Sequence, residues 1–287
     1  MTSTRWVQMM LRMPAAYQDL LVGQLAALGF GGFLQEDAVL SGYVEATKWN
    51  RELKQGLDYC IRRFRTQFPN LRLRYTTKTV VLRNWNHMWE RSVNIVEAAP
   101  GIVVKPSWKR LPARDKGKMV LHIDPKMSFG TGHHETTRLC LRLLREYVQP
   151  DTSVLDFGSG TGILAIAAVK LGAHRAVAID NDTWTIPNIK ENLKRNRVGH
   201  KVRVLHGDAT RIPKTTFDLI VANIDFPAIT KVHRRLIRSL RKGGLVIFSG
   251  LLTTDLIPFH RLIRHAGVSP LDIIEENEWA AIALVRT

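Results

Sequence analysis

The chain is poor in cysteine: Cys60 and Cys140 are the only two in 287 residues. A disulfide framework is therefore excluded, and a reducing, cytoplasmic setting is expected. Long apolar runs are missing too. None approaches the roughly 20 residues needed to cross a bilayer, so no membrane partner is expected. Residues 1–13 contain Arg5 and Arg12 and no acid, yet lack the apolar stretch of a secretory signal. Internal repeats and low-complexity segments are absent. The adjacent His133 and His134 cannot face one ion from one helix as an i, i+4 pair does, so no metal is expected. Acid is scarce as well, with 25 Asp and Glu against 42 Lys and Arg, a net charge of +17. The excess is +5 over residues 1–80, +6 over 81–150 and +6 over 151–287, so it is no detachable tail. Such a field favours anionic partners such as RNA and says nothing about fold. What is present in quantity is apolar side chain, 45% of the residues, enough for a sizeable core.

The order of elements suggests two parts. Residues 4–13 read as a strand, and Pro14 opens a helix that Gly29 stops. Phe30–Glu36 and Val39–Ala46 form a hairpin pattern, Thr47–Phe68 a second helix, and Leu71–Leu82 an alternating strand. Strand, helix, two strands, helix, strand is the split βαβ, ferredoxin-like order, which predicts a small α+β domain over residues 1–83. Residues 84–125 read as a linker with a short helix near Trp85–Ile95 and a strand at Ile102–Lys105. The basic stretch Lys105-Pro106-Ser107-Trp108-Lys109-Arg110 suits base stacking, or packing of a domain junction. From residue 126 to 287, short apolar strands at 154–157, 176–179, 202–205, 219–222 and 245–249 alternate with amphipathic helices, and 271–276 with 280–286 reads as a closing hairpin. That alternation predicts a parallel, doubly wound sheet, an α/β fold.

The chemistry gathers on this sheet. Val154-Leu155-Asp156-Phe157-Gly158-Ser159-Gly160-Thr161-Gly162 takes a strand to an acid and then to a glycine-rich turn before a helix. Glycine permits positive φ and close approach of a ligand to the backbone. A dinucleotide fingerprint needs glycine at position 163, which is isoleucine, and no Gly-Lys-Ser/Thr follows to make a phosphate loop. The spacing is similar to motif I of class I methyltransferases. Asp180 ends the next strand and is placed to accept the ribose hydroxyls of an adenosyl cofactor, with Asp182 the better cap for the helix that follows. Asp208 ends the third strand, where methyltransferases of this class contact the adenine amino group. Asn223 ends the fourth, where it would face the transferring methyl. Upstream, Phe129-Gly130-Thr131-Gly132 turns into a helix whose first turn carries Thr137, a hydroxyl for the same ligand. Trp184 and Phe226 suit either that pocket or the core.

Together Phe129-Gly130-Thr131-Gly132-His133-His134-Glu135-Thr136-Thr137, motif I and Val221-Ala222-Asn223-Ile224 resemble the PrmA family, which methylates large-subunit ribosomal protein eleven. Asn84-Trp85, Trp89-Glu90-Arg91, Pro106-Ser107-Trp108 and Glu278-Trp279 add to the likeness. The family has threonine and proline where this chain has His133 and Glu135. The resemblance implies a Rossmann-like class I methyltransferase domain behind a ferredoxin-like domain that grips a protein substrate. It implies S-adenosyl-L-methionine as cofactor, held at Thr137, Gly158, Asp180 and Asn223, with Phe129, Thr131, Asp156, Gly160 and Asp208 around it and Asn223 also serving catalysis. The expected acceptor is a lysine ε-amine or the α-amine of a ribosomal protein, with a ribosomal RNA contact to account for the charge. Two other readings stay open: an RNA methyltransferase, which the missing Asn-Pro-Pro-Phe motif disfavours, and a non-catalytic RNA-binding module on the same scaffold.

Overall fold

The computed structural model describes residues 5–71, 73–81, 93–126 and 128–287. The chain divides into two compact units that part between His87 and Met88. In the smaller unit, β1 (Arg5–Arg12), β2 (Gly32–Glu36), β3 (Val39–Glu45) and β4 (Tyr75–Val81) form an antiparallel sheet in the order β2-β3-β1-β4. This is the ferredoxin-like order expected from the sequence. Alternation along β1 buries Val7, Met9 and Leu11 on one face. Leu21 and Leu25 of α1 (Gln18–Ala27) and Leu57, Ile61 and Phe64 of α2 (Arg51–Gln67) join them in one core. Asn50 starts α2 by accepting from the Leu53 N–H at 2.9 Å. The short helix expected at 85–95, with the Asn84-Trp85 and Trp89-Glu90-Arg91 matches, falls outside the described residues except for 93–95, which have no regular structure.

The larger unit centres on seven strands in the order β10-β9-β8-β11-β12-β14-β13. They are β8 (Ser153–Phe157), β9 (Arg175–Asp180), β10 (Val202–His206), β11 (Phe217–Asn223), β12 (Leu240–Leu252), β13 (Val268–Glu276) and β14 (Trp279–Arg286). The first five are parallel, and β14 runs antiparallel to both β12 and β13. Every residue of β8 is buried, as a central parallel strand covered on both faces requires. One face lies under α3 (Glu135–Tyr147) and α4 (Ile163–Lys170), whose Ile163–Val169 are all buried. The other lies under α6 (Phe226–Arg238) and α7 (Leu256–Ile263). α5 (Thr185–Arg195) follows β9.

The expectation of a linker over 84–125 needs correction for its described part. Residues 96–122 build a three-stranded sheet, β5 (Val96–Ala99), β6 (Ile102–Lys105) and β7 (Met119–His122), whose Ala98, Ile102, Val104 and Leu121 enter the core of the larger unit. β6 is the strand expected at Ile102–Lys105; its two neighbours, four residues each, leave too short a pattern to read from the sequence. Lys105 is buried, its ammonium donating to the Pro106 carbonyl at 2.9 Å. The stretch 105–110 is therefore not a continuous basic face.

Three asparagines four residues apart hold this sheet to the helix after β9. Asn196 donates to the His122 carbonyl and accepts its N–H, at 2.7 and 2.9 Å. Asn192 accepts from the Asp124 N–H at 3.0 Å and donates to the Thr161 carbonyl at 3.0 Å. Asn188 donates to the Pro125 carbonyl at 2.7 Å. The i, i+4 spacing puts all three on one helical face, where the amides act as a substitute strand for residues 122–125. Asn192 is fully buried, and losing its amide strands backbone groups that cost about 1–3 kcal/mol each. Asn192→Ala is expected to lower unfolding free energy by about 2–4 kcal/mol, read as a lower urea midpoint; an unchanged midpoint would remove the asparagine ladder from the account of stability.

Candidate active site

The parallel strands deliver their side chains to one rim, the carboxyl ends, where open α/β sheets place ligands. After β8 the chain turns through Gly158, Gly160 and Gly162 with φ of +74°, +52° and +79°, a left-handed backbone that favours glycine. The turn is tied down on several sides. Gly160 N–H donates to the Asp180 carboxylate at 2.7 Å, and Thr161 N–H to the Phe129 carbonyl at 2.8 Å. Thr161 Oγ1 donates to the Gly130 carbonyl at 2.6 Å. A Cβ on Gly160 would run into the Phe129 carbonyl oxygen. The upstream loop and motif I, some thirty residues apart in sequence, are thus one surface.

Asp180 is largely buried at the end of β9, one oxygen on Gly160 and the other accepting from the Asp182 N–H at 2.9 Å. Asp182 makes the next turn, accepting from the Trp184 N–H at 2.8 Å. Asn223 ends β11 half-buried, with Nδ2 donating to Thr137 Oγ1 at 3.5 Å. Thr137 is fully buried in the first turn of α3, which His134 caps through Nδ1. The structure therefore brings Phe129, Thr137, Gly158, Gly160, Asp180 and Asn223 to neighbouring positions on the rim. Thr131 lies on the adjoining cavity of about 510 Å³, with Phe129, His133, His134 and Glu135.

Asp156 and Asp208 stand differently. Asp156 has no exposed surface; its Oδ2 accepts from the Ala165 N–H at 2.9 Å and its Oδ1 has no hydrogen-bond partner among the described residues. Sequence position alone placed it with the cofactor ligands, but the side chain points beneath the turn. It braces the first turn of α4 from inside. Asp208 is exposed and caps a single helical turn, Oδ1 accepting from Thr210 N–H and Oγ1 at 2.8 and 2.6 Å. Those bonds hold its carboxyl below the usual range. Trp184 is 85% exposed, which removes the core reading, whereas Phe226 packs partly buried on the second core.

Sequence reasoning gave no role to one feature. The rings of Phe129, His134 and Trp279 form an edge-to-face row with centroids 5.2 and 4.9 Å apart. Trp279 comes from the far hairpin, so only the paired Glu278-Trp279 signal could have pointed to it. Burial pushes the pKa of the neighbouring His133 down, and Arg138 and Lys109 add to the effect against a Thr131 backbone bond that opposes it. Among the described residues, no group of His, Cys, Asp or Glu is arranged to hold a metal ion.

This strand order, with an antiparallel strand inserted before the last, and a strand-end acid bonded to a glycine turn together define a Rossmann-like methyltransferase domain. The family model for ribosomal protein L11 methyltransferase (PrmA) matches residues 29–287. The L11 methyltransferase of Pelotomaculum thermopropionicum is 32% identical, covering 97% of this chain and 98% of that protein. That of Chlorobaculum parvum is also 32% identical, over 91% and 90% of the two chains. A crystal structure of ribosomal protein L11 methylase from Lactobacillus delbrueckii subsp. bulgaricus matches 68% of this chain and 99% of its own at 28% identity, with a TM-score of 0.62. The chain belongs to the ribosomal protein L11 methyltransferase (PrmA) family. It is an N-methyltransferase with S-adenosyl-L-methionine as cofactor, and the left-handed glycines beside a strand-end carboxylate fit that group.

Two outcomes follow from the geometry. In Gly160→Ala the added methyl must displace the Phe129 carbonyl at a positive φ; calorimetry should show cofactor affinity down at least tenfold, about 1.4 kcal/mol. Unchanged affinity would mean the turn yields without harm to the site. Burial, with the Asp180 charge adding to it, pushes the Asp156 carboxyl up to about 7 from 3.8. Between those values the folded protein keeps a proton that the unfolded chain releases, so its stability falls as pH rises through that window. Cofactor-free protein should lose stability from about pH 4 to 7, and Asp156→Asn should flatten that slope; an identical slope in the variant would assign it to another group.

Proposed function

We propose that this chain methylates amino groups of ribosomal protein L11, with Asn223 and Thr137 on the methyl-transfer side of the cofactor site. The observation that carries the reading is the Asn223–Thr137 pair at 3.5 Å, joined at the rim to a glycine turn that Asp180 holds. When bound, S-adenosyl-L-methionine supplies a methyl group on a positively charged sulfur, which a neutral amine can displace directly. The remaining lone pairs of Asp180 would accept the ribose hydroxyls, and Gly158 and Gly160 would allow the ligand against the backbone. Asp208 would reach the adenine edge through the oxygen its cap leaves unused. Thr131 and Phe129 shape the entrance, and Asp156 supports the turn from beneath.

The acceptor must be deprotonated to react, and a desolvating pocket lowers an amine's pKa. Alignment of nitrogen, methyl and sulfur is the main contribution that the protein can make. In this reading residues 1–83 grip the protein substrate. The positive charge of the whole chain contacts ribosomal RNA, and the protein works in the cytoplasm, a setting that suits two free, buried thiols.

The test uses the full chain, labelled cofactor, and purified L11 or ribosomal RNA as acceptor. Label should enter L11; label in RNA or in neither would favour an RNA methyltransferase or a non-catalytic module. Asn223→Ala should lower kcat about 100-fold, the size of an interaction made only in the transition state, while cofactor affinity changes less than threefold. Loss of affinity alone would make Asn223 a cofactor ligand without a catalytic role.

A further inference from the structure

The opposite end of the large sheet carries a second cavity, of about 590 Å³, with a composition unlike the first. His174 precedes β9, which Arg175 opens, His200 and Lys201 precede β10, and Arg203 lies within β10. Behind them are Val177, Val202 and Phe217. Among the described residues, no acidic side chain lines it. We propose that this cleft binds the phosphodiester backbone of RNA.

The register explains how the charges gather. Val177 pairs with Arg203 and Ala176 with Val202, so Arg175 stands beside Lys201 one step earlier. Strand alternation puts Arg175 on the face of Val177, whose partner is Arg203, with neighbouring strands only about 4.8 Å apart, and Lys201 lines the same cleft from the turn before β10. All three cations are exposed, as are both histidines. None of the five takes part in an ion pair among the described residues. The carboxylate next to Phe217, Asp218, is already engaged by the Ser153 N–H at 2.8 Å and by Arg241. Like charges across neighbouring strands repel, and a polyanion relieves that repulsion while releasing its counterions.

Edge protection does not account for the cluster. β10 is the edge strand, and cations there discourage unwanted strand pairing. Arg175, however, belongs to the second strand in, with His174 just before it, and the floor reaches Phe217 on β11. The apolar floor is too deeply buried to stack bases, since Phe217 is 3% exposed, so contact falls on phosphates and sugar. Five steps along β9 separate Arg175 from Asp180, about 16 Å at the rise of a strand. RNA in this cleft leaves the methyl-transfer rim open.

The proposal rests on the RNA contact above for its partner and is independent of the methyl acceptor. Full-length protein would be titrated with fluorescent polyuridylate of about 20 nucleotides at about 50 mM salt and upward. The cleft variant is Arg175→Gln, Lys201→Gln, Arg203→Gln; the control is Lys242→Gln, Arg261→Gln, Arg264→Gln, exposed cations elsewhere with the same charge loss. The cleft variant should bind at least tenfold more weakly, with the salt slope reduced by about 2, as three lost single-strand phosphate contacts imply. The control should change less than threefold, and L11 methylation should be unaltered in both. If the triple variant does not fold, Arg203→Gln alone should still weaken binding and lower the slope. Equal weakening in cleft variant and control would overturn the site and leave a diffuse field. Failure of the unaltered protein to bind polyuridylate would overturn the RNA contact itself, while methylation of L11 would still stand or fall by its own assay. Displacement by polyglutamate or by inorganic phosphate at matched ionic strength would assign the cleft to an acidic protein or a small anion instead.

Discussion

The turn from Gly158 to Gly162 has to keep a left-handed backbone while its amides stay paired, and much of the catalytic unit is arranged around that requirement. Asp180 takes the Gly160 amide, Phe129 takes that of Thr161, and Asn192 donates to the Thr161 carbonyl. Asp156 braces the following helix from within. Each partner comes from a different segment, so the turn can form only when the loop at 129–132, the end of β9 and the helix after β9 are all in place. The amides of Gly160 and Thr161 are thus already paired before any ligand binds, which holds the turn in place.

The same network explains why residues 96–125 belong to the catalytic unit. The strands β5 to β7 are too short to form a stable sheet alone. Burial of Ile102, Val104 and Leu121 against α3 and α4, with the asparagine ladder along α5, supplies what they lack. The result carries Asp124 and Pro125 into the loop that ends at Phe129, and so positions the cofactor turn from behind.

Electrostatics divide along the strands. The carboxyl ends bear Asp180, Asp208 and Asn223, acceptors and amides suited to a cationic, hydroxyl-bearing cofactor. The amino ends bear Arg175, Lys201 and Arg203, which pair with no carboxylate among the described residues. Asp156 belongs to neither: full burial favours its neutral form, which suits a group that braces backbone without adding charge to the rim.

Local sequence was sufficient for both fold classes, because period-2 strands, helices bounded by Pro14, Gly29 and Pro69, and a run of alternating strands and helices each announce themselves within a few residues. It also fixed the positions of Gly158, Gly160, Asp180 and Asn223 in a glycine turn and at strand ends, since these follow directly from the order of elements. Tertiary structure alone decided what depends on distance. Sequence spacing could not show that Asp156 faces inward or that four-residue strands pair at 96–122. Nor could it show that Trp279 meets His134 edge to face across 145 residues of chain, or that cations from the starts of two strands line one cleft. These follow from register and burial, which arise only when remote segments exclude water from one another.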